Sequence, residues 1–515
     1  MSDPQSTAPV TRPTHDLPPD ETLAANRLGI AGIVFFVVAA AAPLVGMTGA
    51  VPVAIVLGNG AAAPGAYLAV GIVLLLFSVG YAAMTHRVTN AGAFFAYIGR
   101  GLGLVAGVGS AFVSLLAYLT IQLAIFGFFG GVAAVQLEAE LGIDLSWWVW
   151  ALLAWAVVLA LSILRVDIGA KFLGVLMTIE VISLAVVAVV VLSQGGGPDG
   201  LSFGASFSPA NILAGGFAGS AGIALAFAFA SYIGFEATAI YAEEARDPKR
   251  AVPIATYVAV TLIALLFALT SWAVVSGLGS QSVVDRVVEI STVEGTPLAD
   301  PAAVLFAVAR EYVGGWLATL MSWLVLSSLF AGLLAFQNSS ARYFYALGRA
   351  GVLPRGLDHV NRRGAPAVGA LVTSAISLVV ILLFVVTDKD PILNLFYWFS
   401  GVAVLAIVLV EVLVSVAVIV YFRRDTTDAR VWNTLVAPAL AIVGLVAGAY
   451  LVMARFGLLA GTAAEGVDPT QQAWRLSATG WLLVALPFIV FAVGLAVGQV
   501  RRREENEEAL ADLVT

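Results

Sequence analysis

Apolar runs of 18 residues or more recur along the chain from Leu28 to Val500, divided by short polar stretches. Runs of that length match the roughly 20 helical residues needed to cross the hydrocarbon of a bilayer. The pattern predicts about twelve transmembrane helices, numbered here as spans 1 to 12: residues 28–57, 64–84, 102–137, 147–164, 168–192, 212–242, 252–277, 312–345, 365–386, 392–422, 431–453 and 478–500. The predicted fold class is therefore all-α integral membrane. An amphipathic stretch near residues 91–100 is expected to lie along the inner surface. Residues 1–27 are polar and rich in Pro, Thr and Asp, without the apolar core and small-residue cleavage site of a signal peptide. They read as a disordered cytoplasmic tail. Residues 501–515 open with Arg501-Arg502-Arg503 and continue with acids, which reads as a second cytoplasmic tail, helical or disordered.

Two of these spans are interrupted where a membrane helix should be continuous. Span 6 contains Ser231-Tyr232-Ile233-Gly234-Phe235-Glu236, which puts a hydroxyl, a glycine and a carboxylate at bilayer depth. Span 1 contains Ala42-Pro43-Leu44-Val45-Gly46-Met47-Thr48-Gly49. Pro43 removes a donor and clashes with the preceding turn, while Gly46 and Gly49 permit departure from helical geometry. Hydrocarbon cannot hydrogen-bond stray backbone groups, so such breaks survive only where they line a cavity. The two interrupted spans are five spans apart, and five is odd, so two consecutive five-span units have opposite topology. Corresponding broken helices in two such units are the signature of an inverted repeat and of a transporter binding site. Span 1 alone is equally readable as a proline kink with glycines for close packing. The expected organisation is a transport core over residues 28–422, with repeat one at 28–192 and repeat two at 212–422, followed by spans 11 and 12 within 431–500.

The residue chemistry around the breaks sets the candidate site. The half-helix after Pro43 would aim free N–H groups at the cavity, with Leu44, Val45, Gly46 and Thr48 beside them. Carbonyls freed near Ala230 and Ile233 are suited to accept from an ammonium group, with Phe229 and Tyr232 as walls. Glu236 opens the second half of span 6, where its charge suits the helix dipole. It either caps backbone N–H groups or meets the substrate. Glu180 in span 5 and Glu411 in span 10 are carboxylates inside apolar runs. Such a group costs roughly 2.5–3.5 kcal/mol or more, which makes it a functional candidate by default. Glu180 reads either as a proton carrier or as a neutral acid bonded to a neighbouring helix, and a coupling role is read for Glu411 too. Tyr118 and Gln122 in span 3, and Phe336-Gln337-Asn338 in span 8, are either pocket groups or interhelical glue.

Composition narrows the chemistry further. The chain is 61% hydrophobic and 11% charged, far from the roughly 25% charged residues of a soluble domain. It has no cysteine, which excludes disulfides, thiolate catalysis and cysteine metal sites. His15, His86 and His359 all fall outside the apolar runs, so no intramembrane histidine metal site and no cofactor are expected. Gly99-Arg100-Gly101-Leu102-Gly103 superficially matches a dinucleotide fingerprint, but it follows no strand and opens a membrane helix. No Walker motif is present, and no nucleophile–base pair converges in the spans, so neither a nucleotide engine nor an enzyme is expected. Placing the N-terminus inside puts 20 of the 25 basic residues on the cytoplasmic side, among them Arg246, Lys249, Arg250, Arg342 and Arg349. The outer loops then hold many acids, and both termini are cytoplasmic.

Three stretches resemble the amino acid–polyamine–organocation permeases. The first is Gly234-Phe235-Glu236-Ala237 with Glu243-Glu244-Ala-Arg-Asp247-Pro248-Lys249-Arg250-Ala-Val-Pro253, similar to the span 6–7 signature. The second is Ser339-Ser340-Ala-Arg342-Tyr-Phe-Tyr-Ala-Leu-Gly348-Arg349-Ala-Gly351-Val-Leu-Pro354, similar to the span 8–9 loop. The third is Ala91-Gly92-Ala-Phe-Phe-Ala-Tyr97 before span 3. The resemblance implies a LeuT-like fold, a ten-helix inverted repeat with two added helices. It implies a substrate pocket carried by Pro43, Leu44 and Val45 in span 1 and Ala230, Ser231, Tyr232, Ile233 and Gly234 in span 6, with Phe336 where some members place a gating aromatic. Many members have a Gly-Ser-Gly type break in span 1, and Pro43-Leu44-Val45 here resembles the putrescine-importer branch instead. Several proton-coupled members carry a span 5 lysine at about the place of Glu180.

The expectation is a secondary transporter in the cytoplasmic membrane, importing an amino acid or related amine with protons by alternating access. The alternatives are an exchanger and, further off, a nutrient sensor built on a transporter fold. Glu180 and Glu236 are the candidates for proton coupling or gating. The expected partners are the small-molecule substrate, protons and the lipid bilayer, with no nucleic acid. Oligomeric state is not legible in the sequence.

Overall fold

The computed structural model describes residues 28–88, 93–164, 167–425 and 430–504. The tails expected at 1–27 and beyond residue 504 lie outside these residues, as do positions 91 and 92. The described residues are helical throughout, with only isolated bridges such as Leu28 to Ala245 in place of sheet. Eleven helical stretches are long and apolar enough to cross a bilayer. The first, Ile30–Thr85, has 56 residues, more than twice one crossing. It bends back between Gly58, which has non-helical dihedrals, and Gly60 at φ 60°. It therefore makes two crossings, and the described residues make twelve.

The remaining crossings fall close to their sequence positions. Span 3 is Leu104–Leu141, span 5 lies in Asp167–Ser193, span 7 is Pro248–Leu278, span 8 is Gly315–Arg349 and span 12 is Ala478–Glu504. Span 6 starts later than expected, at Ser220, because Pro209–Ile212 is a separate short helix outside it. The amphipathic piece forms the helix Ala93–Leu102. Phe94, Tyr97 and Ile98 are fully buried, and the helix packs between spans 3 and 10. Its aromatic side chains bury more apolar area inside the bundle than they would at an interface.

Span 3 is the central element and touches spans 4, 8, 10 and 12. Lipid tails are as apolar as the helices, so close packing and interhelical hydrogen bonds drive helix association. Small residues let the backbones approach: a Cβ on Gly494 of span 12 would sit 2.8 Å from the Gly109 Cα of span 3. Gln122 Nε2 donates to Gln337 Oε1 at 2.5 Å, and Gln337 Nε2 donates to Ala370 O and Ser374 Oγ at 2.9 Å. This ties spans 3, 8 and 9 together, so Gln122 and Gln337 act as glue.

At the end of the bundle rich in basic residues, spans 1, 6 and 8 are fastened to each other. Leu28 N–H donates to Glu244 O, and Arg246 N–H donates to Leu28 O, both at 2.9 Å. Arg342 of span 8 forms an ion pair with Glu244 at 2.6 Å, and Arg349 pairs with Glu243 at 2.5 Å. The Arg342 guanidinium also lies over the Tyr241 ring, which stacks on Phe36 of span 1. Glu244 is only 2% exposed, so removing its partner would strand a buried charge. Arg342→Ala should destabilise the protein by about 3–5 kcal/mol. The double change Arg342→Gln with Glu244→Gln should cost clearly less. Thermal denaturation in detergent, followed by size-exclusion fluorescence, measures both.

Candidate functional site

Span 1 stops at Ala41, Ala42 turns left-handed at φ 42°, and Pro43 starts the helix again. Proline suits that place, because an N–H there would have no intrahelical partner in any case. The next donor, Leu44 N–H, meets Glu180 Oε1 from span 5 at 2.9 Å. The same oxygen accepts from Ser328 Oγ of span 8 at 3.0 Å. Glu180 thus caps the half-helix from outside it, with a carboxylate where the dipole favours one. Val45 N–H is the second donor of that turn, and it meets no acceptor among the described residues. The sequence suggested that the half-helix after Pro43 would aim free N–H groups at a cavity; the cap leaves Val45 N–H as the open one.

The glycines of this segment do something other than break it. Pro43–Val53 is one helix through Gly46 and Gly49. A Cβ on Gly46 would lie 2.9 Å from the Phe267 ring of span 7, so its role is close packing. Thr48 Oγ1 donates to Leu44 O at 2.8 Å and is buried, which satisfies its hydroxyl within its own helix.

The α-helix of span 6 ends at Ser231, and a turn through Tyr232, Ile233 and Gly234 leads into a tight 3-10 segment, Phe235–Glu244. Gly234 has φ 109°, which a residue with a side chain rarely adopts. Its N–H donates to Glu236 Oε2 at 2.8 Å, so one oxygen of Glu236 caps the break. No donor among the described residues reaches the carbonyls of Ala230 and Ile233. Ser231 Oγ donates to Phe227 O at 2.9 Å and lies 3.2 Å from Tyr67 Oη. Tyr232 Oη donates to Tyr67 O at 2.8 Å. Tyr67 of span 2 therefore braces the end of the helix. Nothing but a tyrosine in an apolar run marked it in the sequence, and the same holds for Ser328.

The two interruptions lie against each other. A Cβ on Gly234 would stand 2.8 Å from the Ala40 backbone, one turn before the break of span 1, and one on Gly46 would stand 3.6 Å from Ser231 Cβ. Tyr118 reaches the site from span 3, with its hydroxyl beside the Glu236 carboxyl, and its ring pairs with Phe336 at 6.0 Å. Neither Tyr118 Oη nor Glu236 Oε1 completes a hydrogen bond of normal geometry. The Phe229 ring fills the space over Gly448 of span 11. With Tyr232 and Ile233 it lines a small cavity against span 10 that holds about one water. Glu411 stands in the same wall.

Over 336 residues the chain is 26% identical to a branched-chain amino acid permease of Lactococcus lactis, covering 61% of this chain and 66% of that protein. Over 233 residues it is 25% identical to an amino-acid permease of Candida albicans, covering 45% of this chain and 36% of that protein. A stretch of 166 residues is 28% identical to an uncharacterized transporter of Legionella pneumophila, covering 32% of each. The chain thus spans less than two thirds of the length of these relatives. The profile of the amino acid permeases, by contrast, matches it from residue 32 to residue 503, through every crossing. The chain belongs to the amino acid permease family.

Proposed function

We propose that this protein imports an amino acid or a related amine across the cytoplasmic membrane, together with protons, by alternating access. One observation carries the reading. At the crossing of the two broken spans, Val45 N–H and the carbonyls of Ala230 and Ile233 are open in a region where hydrocarbon offers no partner. An amino acid supplies the missing complement, a carboxylate for the donor and an ammonium for the carbonyls. Pro43 withholds one N–H from the carboxylate end, so the ammonium end is the better served. The names of two relatives speak of amino acids, one of branched-chain amino acids, which makes leucine the first substrate to test and putrescine the second. The excess of Lys and Arg on one side supports cytoplasmic termini. Residues 28–192 and 212–422 are the two units that would rock against each other, with spans 11 and 12 outside them.

In this reading Glu180 positions the break of span 1. Its Oε1 already serves two donors, and a glutamine carbonyl would serve them as well. Glu180→Gln should keep at least half of wild-type uptake in proteoliposomes. Glu180→Ala, which strands Leu44 N–H in the interior at a cost of about 1–3 kcal/mol, should lower it tenfold or more. An equal loss in both variants would show that the charge itself is needed. Gly234→Ala is expected to abolish uptake, because a Cβ at φ 109° meets the Ala40 backbone; uptake by purified protein with a wild-type size-exclusion profile measures this.

Import with protons is tested by uptake of labelled leucine and putrescine with and without an inward proton gradient. The expected outcome is several-fold stimulation by the gradient from empty vesicles. Uptake that ignores the gradient and requires internal substrate would establish exchange in its place.

A further inference from the structure

We propose that Glu411 of span 10 is the residue that carries the coupling proton, an inference that rests on the transport reading above. Among the described residues, three carboxyl groups inside the spans, Glu180, Glu236 and Glu411, are each 1% exposed or less. Two of them are committed to backbone. Glu180 holds Leu44 N–H and Ser328, and Glu236 holds Gly234 N–H. A group that must gain and lose a proton in every cycle cannot also be the fixed acceptor that keeps a broken helix in shape. Glu411 has no such duty. Its Oε1 is buried and meets no donor among the described residues, and its backbone carbonyl accepts from Ser415 Oγ at 2.9 Å.

The place of Glu411 suits the task. It stands midway along the 28-residue helix Tyr397–Arg424, one turn after Ile407, and both face a small cavity behind the span 6 break. The walls of that cavity are otherwise apolar or aromatic: Leu74 of span 2, and Phe229, Tyr232 and Ile233 of span 6. The titratable groups that face Glu411 are Tyr232 in this wall and Glu236, whose charge acts on it from the break itself. Tyr118 of span 3 stands beside Glu236. An unpaired negative charge is poorly tolerated in such a place, and it becomes tolerable once the cavity is wetted from one side. The Glu411 carboxylate takes a proton from water on the outer side, forming an O–H bond, and the neutral acid crosses with the closed state. That bond breaks when the inner side opens to water, and the carboxylate is restored. Because Ile233 and Tyr232 line the same cavity, a change in the break changes the walls around Glu411, which links the proton to the substrate.

The test uses full-length protein in proteoliposomes with labelled leucine and labelled putrescine as probes. Two measurements are made: uptake driven by an inward proton gradient, with an internal pH dye, and exchange of internal for external substrate at equal pH. Glu411→Gln should lose the gradient stimulation and the internal acidification while exchange persists at more than a third of the wild-type rate. Glu411→Asp, which keeps the acid, should restore part of the stimulation. Retained stimulation in Glu411→Gln would overturn the assignment. So would loss of exchange in both variants, which would make Glu411 structural. Wild-type protein that transports neither probe, or ignores the gradient, would instead sink the transport reading itself.

Discussion

Hydrocarbon supplies no hydrogen bonds, and the centre of this protein is organised around that fact. Among the described residues, two of the crossings stop partway and release backbone donors and acceptors inside the bundle. Each released group must be met by something inside the protein. The carboxyl of Glu180 meets Leu44 N–H in span 1, and the carboxyl of Glu236 meets Gly234 N–H in span 6. The two breaks are thus held by the same device, an acid placed against a freed amide. Charge-assisted bonds to backbone amides are among the stronger hydrogen bonds available, which suits them to hold a shape that helix geometry alone would not.

The contact between the breaks depends on the absence of side chains. Gly234 lies against Ala40, and Gly46 lies under the Phe267 ring with Ser231 nearby, at separations that leave no room for a Cβ. The same economy fixes the surrounding helices, where Gly109 and Gly494 let spans 3 and 12 touch. Away from the crossing, the basic end is closed by long side chains. Arg342 and Arg349 reach Glu244 and Glu243, and Tyr241 stacks on Phe36. A tight apolar crossing in the middle and a polar clasp at one end differ in what water does to them. Wetting weakens an ion pair by screening it, whereas it does little to steric contact.

Much of this was legible from the residues. Span positions agree with the structure to within a few residues at most ends, because hydropathy depends on local composition alone. Both breaks were legible too, since Pro43 and Gly234 announce themselves by what their backbones can and cannot do. The identity of the second break as a turn followed by a tight 3-10 segment fits the Ser231 to Glu236 stretch. The misreadings have one cause. Gly46, Gly49 and Thr48 looked like parts of a break, yet they lie within one continuous helix. Each of these depends on which helix stands opposite, and sequence spacing does not report that.

What the sequence determined by itself was the class of molecule, its twelve crossings, the two interruptions and the acids buried near them. These follow from the energetics of single residues in hydrocarbon. What only the tertiary structure decided was pairing: that Glu180 serves span 1, that Tyr67 braces Ser231 and Tyr232, that Ser328 joins Glu180, and that Glu411 is left without a hydrogen-bond donor at Oε1. Those contacts join residues more than a hundred positions apart. They exist because helices packed at close range bring particular turns to the same depth, a relation that composition and periodicity along one helix do not contain.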